Sequence, residues 1–445
     1  MERIVFVLAI MLSIIQFSEA QESAPKFQFR LLRQNDAVTI GEKTSLYDKF
    51  KLIEISPNST LSFGGSYRFQ NEAFINEQFN KNVDETDYWF LNRLMFHSHL
   101  KIAESFEIFA ELNSSLITSK DNLVPVDRDE LSFNQLFVRY HFNKQLNVLI
   151  GRQNMRLGSG RLVDIREGPN VRLSFDMAQI EYKHKNTNLR LFHAIPVQQQ
   201  DGVFDNDFLE RNESLSAVYW TQNWTSDTNT DFYLLYKTEE NKTWNSGTAD
   251  DNRASLGLRH FGKWKGLNYN NEFVYQFGSF GSNNISAWTA SFNVEREWSF
   301  GTLGFKTEAI SGDNTNSDAL NTFDGLYPRG AYFGRVARFG PSNLFDIHPY
   351  FDTSIGDFNL ELDYVAFWRF SNEDGVYNPP LILDYTSIND RGFIAHQIGT
   401  IISHELNNHI AIELESNIIF PGAFLKESGL GDTLYHFVIT TEFKF

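Results

Sequence analysis

The densest group of side chains that could do chemistry is a cationic stretch between residues 151 and 175. Five arginines and two acids lie in it: Arg152, Arg156, Arg161, Arg166, Arg172, Asp164 and Glu167. The whole chain carries a net charge of -17, so this stretch reverses the sign locally. A guanidinium is permanently charged and can hold a carboxylate through two parallel hydrogen bonds. The stretch therefore predicts a site for anionic groups, although solvated loops or a phosphate-binding rim would give the same pattern.

A second cationic run, residues 326–344, holds Arg329, Arg335 and Arg338 and no acid. Arginines that converge in a narrow passage would attract an anionic sugar acid, because low-dielectric walls focus the field of fixed charges. Both runs need a scaffold that brings them together.

That scaffold is predicted by segments of about ten residues in which apolar and polar side chains alternate. In residues 60–75, Leu61, Tyr67 and Phe69 share one face, while Arg68 and Glu72 share the other. The same alternation recurs in residues 106–112, 267–277 and 358–370. Further strands are predicted at 331–339 and 342–355, and long polar loops at 240–253, 312–330 and 371–391. Alternation with period two is typical of β-strands with one water-facing side.

The first twenty residues predict export. Residues 4–15 are apolar, and Ser18, Glu19 and Ala20 follow with small residues at the cleavage position of a secretory signal peptide. A membrane anchor would need about 20 apolar residues. We predict a signal peptide at 1–20, an N-terminal periplasmic segment at 21–57 and a transmembrane β-barrel at 58–445.

The rest of the chain has no stretch near the roughly 18 apolar residues of a spanning helix. Strands can cross a bilayer only when they close into a barrel, because lipid offers no partner to an open edge. The 42 Phe, 17 Tyr and 8 Trp, together with a mean hydropathy of -0.35, suit an aromatic outer surface around a polar interior. The predicted fold is all-β: a transmembrane antiparallel β-barrel of 16–18 strands, with 18 favoured. The last strand alternates and ends at Phe445, so it resembles the closing strand that the outer-membrane assembly machinery recognises. The alternative interpretation of this strand is the edge strand of a β-sandwich.

Other classes of function have less support. The acidic net charge argues against nucleic acid as a partner, and a chain without cysteine has no thiolate metal site. His404 and His409 are one residue too far apart for zinc ligands on one helical face. Glu413 and Glu415 could be the paired carboxylates of a glycosidase, but the alternation of their strand already explains them as lumen-facing acids. No catalytic residue, metal site or cofactor is predicted.

Alternation also selects the arginines that should face the lumen, namely Arg68, Arg93, Arg139, Arg259 and Arg369. Arg152 shares its parity with Val148 and Ile150, so it can face the lumen only if a β-bulge intervenes or the apolar band has already ended.

Several short motifs then carry a resemblance to a known family. They are Gly151-Arg152-Gln153, Leu157-Gly158-Ser159-Gly160-Arg161-Leu162, Ser311-Gly312-Asp313, Phe323-Asp324-Gly325-Leu326-Tyr327-Pro328 and Phe420-Pro421-Gly422-Ala423-Phe424-Leu425. Over roughly residues 58–445 the chain resembles the alginate export family of outer-membrane porins. The resemblance implies an eighteen-stranded monomeric barrel, narrowed by arginines and lysines, that selects a polyuronate by charge and passes it without nucleotide energy. The matching motifs make Arg152, Arg156, Arg161, Asp313, Tyr327 and Arg329 the candidates for substrate contact, and the resemblance does not choose among them.

We therefore predict an integral outer-membrane channel that passes an anionic polysaccharide, oligosaccharide or sugar-like solute through an arginine-lined lumen. In it, Arg139, Arg152, Arg156 and Arg161 should approach one another inside the barrel. The acids on the predicted polar face depart from a purely cationic lumen. An outer-membrane enzyme or a plugged, surface-binding barrel are the alternatives, and they are distinguished by whether the lumen is filled.

Overall fold

The computed structural model describes residues 46–80, 86–209, 212–314, 316–386 and 388–445. The predicted signal peptide and most of the predicted periplasmic segment, residues 21–45, lie outside the described residues. Within the described ranges, no helix is long and apolar enough to cross a membrane.

The described elements are two short helices and a long succession of strands. In chain order they are α1 (Leu46–Lys51), β1 (Leu52–Ser56), β2 (Ser59–Ile75), β3 (Thr86–Ile102), β4 (Phe106–Thr118), β5 (Asp129–His141), β6 (Leu146–Gln153), β7 (Phe175–His184), β8 (Thr187–Pro196), β9 (Glu213–Asn223), β10 (Thr228–Trp244), β11 (Gly247–Trp264), β12 (Leu267–Phe280), β13 (Asn283–Trp298), β14 (Gly301–Ile310), β15 (Ala319–Leu320), β16 (Leu344–Ile355), β17 (Phe358–Trp368), β18 (Val376–Tyr377), β19 (Leu383–Tyr385), β20 (Phe393–Glu405), β21 (Ile410–Pro421), α2 (Ala423–Glu427) and β22 (Leu434–Lys444).

Eighteen of these strands form a closed antiparallel barrel. They are the members of the main sheet other than β1 and β15, and each pairs with its neighbours along the chain. The ring closes where β2 pairs with β22, from Ser66 opposite Lys444 to Ile75 opposite Tyr435. The predicted fold class and the favoured strand number are confirmed.

The alternation in sequence maps onto the inside and outside of the barrel wall. On β2, Arg68 and Gln70 are 3% and 2% exposed and point inward, whereas Tyr67 and Phe69 are 40% and 37% exposed and point outward. Outward aromatic and aliphatic side chains meet lipid, while the inward face is polar. The barrel therefore spans the outer membrane with its charged residues inside.

The two ends of the barrel differ in their connections. Turns at residues 103–105, 185–186, 265–266 and 356–357 are short, whereas connections at 154–174, 311–343 and 369–392 are long. Short turns face the periplasm in barrels of this kind. The long connections therefore begin and end at the outer rim.

Two sequence predictions about connections were wrong. Residues 240–253 are not a loop, because β10 and β11 continue pairing as far as Trp244 opposite Gly247. The Trp244 indole donates to Asp251 at 3.0 Å and packs edge-on against Tyr377 of the connection between β17 and β20. Residues 331–339, predicted as a strand, instead belong to the long connection between β14 and β16.

The N-terminal end of the described chain extends the seam of the barrel. β1 pairs with β2 over Leu52 to Ser56, beside the part of β2 that β22 does not reach. The ammonium of Lys51 is buried and donates to the main-chain oxygen of Phe445 at 3.3 Å. This segment therefore packs on the periplasmic end of the β2–β22 junction.

Candidate functional site

Two long connections enter the barrel instead of staying at its rim. We call residues 154–174, between β6 and β7, segment A, and residues 311–343, between β14 and β16, segment B. Both segments contact inward-facing side chains on widely separated strands of the wall. Their positions therefore set the shape of the space that remains inside the barrel.

Segment A is fixed to one side of the wall through a buried carboxylate. Glu167 accepts from Arg172 at 2.6 Å, pairs with Arg93 on β3, and lies 3.9 Å from Arg68 on β2. Arg68 also donates to the carbonyl oxygens of Glu167 and Pro169 at 3.0 and 3.1 Å. Burial alone would raise the pKa of the Glu167 carboxyl, but the three arginines hold it well below its usual range.

The tip of segment A is fixed to the opposite wall by Arg161. This guanidinium donates to Glu272 on β12 at 3.2 Å and to Glu308 on β14 at 2.5 Å. It also contacts Ser291 on β13. Glu272 is held in turn by the hydroxyl of Tyr233 at 2.7 Å. Segment A therefore crosses the lumen and forms ion pairs with the wall on both sides, through Glu167 on one side and Arg161 on the other.

Segment B crosses in a similar way. In the first half of the segment, Asp324 lies 3.2 Å from the ammonium of Lys237 on β10. Further along, Arg335 donates to Glu415 at 3.1 Å and to Glu413 at 2.6 Å, both on β21. β10 and β21 are far apart around the ring, so this segment also joins distant parts of the wall.

The two segments pack on each other in the middle of the lumen. The amide of Tyr327 donates to Leu162 at 2.8 Å, and the amide of Asp164 donates back to Tyr327 at 3.0 Å. A Cβ placed on Gly168 would lie 3.0 Å from the Cβ of Ala331, so no side chain separates the chains there. Apolar residues of both segments are buried together: Met155, Leu162, Val163, Phe323, Leu326 and Phe339.

The space left beside the segments forms adjoining cavities. The larger, of about 300 Å³, has the two segments on one side and strands β14, β16, β17, β20 and β21 on the other. A second, of about 180 Å³, lies against β2 and β3. Both are lined by Gly168, Ala331 and Arg335. These three residues therefore mark the boundary between an outer and an inner compartment.

Arg156 and Arg329 are the predicted site residues that the structure brings together in the larger cavity. Their Nε atoms lie 3.3 and 3.9 Å from the same Asp164 oxygen, and their side chains are 31% and 42% exposed. The side chain of Arg161 is 14% exposed. Arg68 and Arg93 are inward-facing, as alternation predicted, and are buried against segment A.

The expected convergence of Arg139, Arg152, Arg156 and Arg161 is not found. Arg152 lies opposite Leu136 on the lipid-facing side, where its guanidinium forms a bidentate pair with Asp176 at 2.8 and 2.9 Å. β6 pairs with β7 without a register shift, so no bulge turns Arg152 inward. Arg139 faces inward on β5, on the same side as the buried Phe137, but it lies opposite Glu107 near the short turns, away from the other three.

Asp313 and Tyr327 lie within segment B and organise it. The Asp313 carboxylate accepts from the amide of Asn321 at 3.0 Å, which shapes the start of the segment. Tyr327 is 3% exposed and packs edge-on against Phe175. Neither residue lines the larger cavity.

Sequence reasoning did not bring together the acids and the lysine that form the far wall of that cavity. Asp352 on β16, Glu361 and Asp363 on β17, and Lys306 on β14 all line it. Alternation places Glu361 and Asp363 on the inner face, but it does not show that three different strands bring these charges to one place.

Comparison with known proteins agrees with this architecture. A family model described as Alginate export matches residues 59–438. The structure is similar to OpdQ of Pseudomonas aeruginosa, with a TM-score of 0.60 and 9% identity over 87% of this chain and 97% of that one. It is also similar to OpdK from the same organism, with a TM-score of 0.59 and 9% identity over 86% and 99% of the two chains. No curated protein sequence matches the chain. With the closed eighteen-stranded barrel and the family match together, the chain is an integral outer-membrane channel that belongs to the alginate export family.

Proposed function

We propose that this channel passes an anionic, sugar-like solute passively, and that Arg156 and Arg329 are the residues that meet its anionic groups. The observation that carries the proposal is their placement: two partly exposed guanidiniums share one carboxylate, Asp164, in the larger cavity of the lumen. The two guanidiniums thus present two positive charges around the carboxylate of Asp164.

The pair can act as an exchange site. A solute carboxylate that enters the cavity can replace Asp164 as the partner of either guanidinium through charge-assisted hydrogen bonds, because the Asp164 oxygen that both guanidiniums approach accepts no hydrogen bond from the described residues. Away from bulk water these bonds are stronger than at the protein surface. The return of Asp164 releases the solute, and a channel needs both entry and release.

The other predicted arginines have different proposed roles. Arg68, Arg93 and Arg161 fix segment A, and so set the shape of the cavity without needing to touch the solute. Arg152 has no role in this proposal because its guanidinium lies on the outer face, and Arg139 has none because it faces inward opposite Glu107, away from the residues that line the larger cavity. No catalytic group is part of this proposal.

The proposal extends to biogenesis. We infer that residues 1–20 are a cleaved export signal, and that β22 with the following Phe445 is the segment read by the assembly machinery. We also infer that the barrel is monomeric, since one chain closes the ring by itself.

The test is conductance in planar bilayers with oligouronates as blockers. Arg156→Ala/Arg329→Ala should weaken oligouronate block about tenfold or more, since hydrogen bonds to charged groups are worth about 1.5–3 kcal/mol each. Arg152→Ala is the matched control, because it removes the same charge from the outer face. Equal oligouronate block in the native protein and the double variant would discard charge selection at this site.

A second candidate is a plugged barrel that binds a ligand at its surface. It is favoured by the apolar core that segments A and B share across the lumen. The native protein would then show no stepwise conductance at all, whereas the channel proposal requires it.

A further inference from the structure

The larger cavity is divided by charge. Four basic and seven acidic side chains line it. Most are already paired: Arg335 with Glu413 and Glu415, Arg156 and Arg329 with Asp164, and Glu167 with the wall arginines Arg68 and Arg93. The charged residues that remain on the far wall are one base, Lys306, and three acids, Asp352, Glu361 and Asp363.

These three carboxylates are poorly compensated. Asp352 and Glu361 lie directly opposite each other on β16 and β17, an arrangement of like charges that destabilises a sheet. In the part of the chain that the structure describes, neither forms an ion pair within 4.0 Å, and Asp363 has only His348 at 3.7 Å. The ammonium of Lys306 packs over the ring of Tyr350, 4.2 Å from its centroid.

A fourth carboxylate extends the same wall. Asp346 on β16 is 1% exposed and lines an adjoining cavity of about 170 Å³. Among the described residues, neither of its carboxylate oxygens has a hydrogen-bond partner. Both cavities are lined by Lys306 and His348, so Asp346 continues the acidic surface. A buried acceptor without a donor is unfavourable unless a donor is supplied.

We propose that the solute is zwitterionic: its anionic group meets Arg156 and Arg329, and an ammonium group on the same molecule meets the carboxylates of Asp352, Glu361 and Asp363. An ammonium supplies one positive charge for the opposed carboxylates of Asp352 and Glu361, and its three hydrogen-bond donors suit the acidic wall that Asp346 continues. The inference rests on the proposed function, since it assigns the anionic end to the same arginines. A cavity of about 300 Å³ is of the size that holds one sugar- or amino-acid-sized unit.

The test compares four probes of similar size as blockers of the native channel: glucose, glucuronate, glucosamine and the zwitterion glucosaminate. Glucosaminate should block most tightly, by about tenfold over glucuronate, because it adds charged hydrogen bonds on the second wall. In Asp352→Asn/Glu361→Gln/Asp363→Asn, block by glucosaminate and glucosamine should weaken about tenfold, while block by glucuronate stays the same or tightens. Asp352→Asn alone should show part of the effect and serves if the triple variant fails to assemble.

Glucuronate binding as tightly as glucosaminate in the native channel would overturn the inference, as would glucosaminate block that the triple variant leaves unchanged. Failure of the proposed function looks different, because glucuronate block would then be insensitive to Arg156→Ala/Arg329→Ala. The exposed-rim substitution Glu130→Gln is the matched control for loss of negative charge, and it should alter neither set of values.

Discussion

Glu167 is the residue on which the position of segment A depends most, so its replacement gives the sharpest prediction. Glu167→Gln keeps the shape of the side chain but removes the charge that Arg68, Arg93 and Arg172 share. Breaking a buried ion pair by removing one partner costs about 3–5 kcal/mol. The new amide can still accept one hydrogen bond, and the bonds from Arg68 to main-chain oxygens remain, so we expect about 3 kcal/mol. At about 1.4 kcal/mol per factor of ten, the ratio of detached to anchored segment A rises about 100-fold.

The absence of cysteine from the chain makes this shift measurable. Ala331→Cys introduces a single thiol where segment A covers segment B, next to Gly168. Its reaction with a membrane-impermeant maleimide should accelerate strongly when Glu167→Gln is added. Glu130→Gln is the control, because its ion pair with Arg128 is 42% and 35% exposed and such pairs contribute about 0–1 kcal/mol. The same labelling rate with and without Glu167→Gln would refute the view that the three arginines hold segment A through this carboxylate.

Three further predictions follow from single contacts. Arg152→Ala should leave the cation-to-anion permeability ratio unchanged, since its guanidinium faces outward; a changed ratio would place it in the pathway after all. Gly257→Ala should destabilise the barrel by about 1–3 kcal/mol in urea titrations in detergent, because the new Cβ would lie 2.0 Å from the Tyr233 ring; an unchanged midpoint would show that the ring can move aside freely. Lys51→Ala should speed amide hydrogen exchange in the peptide that contains Gly65, because the main chain of Gly65 is hydrogen-bonded to Phe445, the residue that the Lys51 ammonium also contacts. Unchanged protection would show that β1 holds the β2–β22 junction without this lysine.

The barrel could be predicted from the sequence because the alternation that produces it is present within each strand separately. Period-two alternation fixes which side chains face lipid on each strand, as Tyr67 and Arg68 show on β2, and closure follows because an open edge has no partner in lipid. The position of Arg152 follows from the same rule, since its parity already placed it with Ile150. The resemblance to the family had assigned it to the lumen, and parity proved the better guide to where its side chain points.

The candidate site depended on information that no local pattern contains. Residues 331–339 alternate well enough to suggest a strand, yet they are part of segment B, because ion pairs such as Arg335 with Glu413 and Glu415 hold them inside the lumen. Likewise, nothing in the sequence shows that Arg161 would reach Glu272 and Glu308, more than a hundred residues away.

The sequence by itself determined that this chain is a closed outer-membrane barrel with charged residues inside, because lipid imposes the same requirement on every strand separately. Only the tertiary structure decided which charges face each other across the lumen. Arg156 and Arg329 meet at Asp164, while Asp352, Glu361 and Asp363 gather on the opposite wall. Those positions depend on how two inserted segments cross the barrel and on the register between non-adjacent parts of the chain, and each is the result of long-range ion pairs that no periodicity encodes.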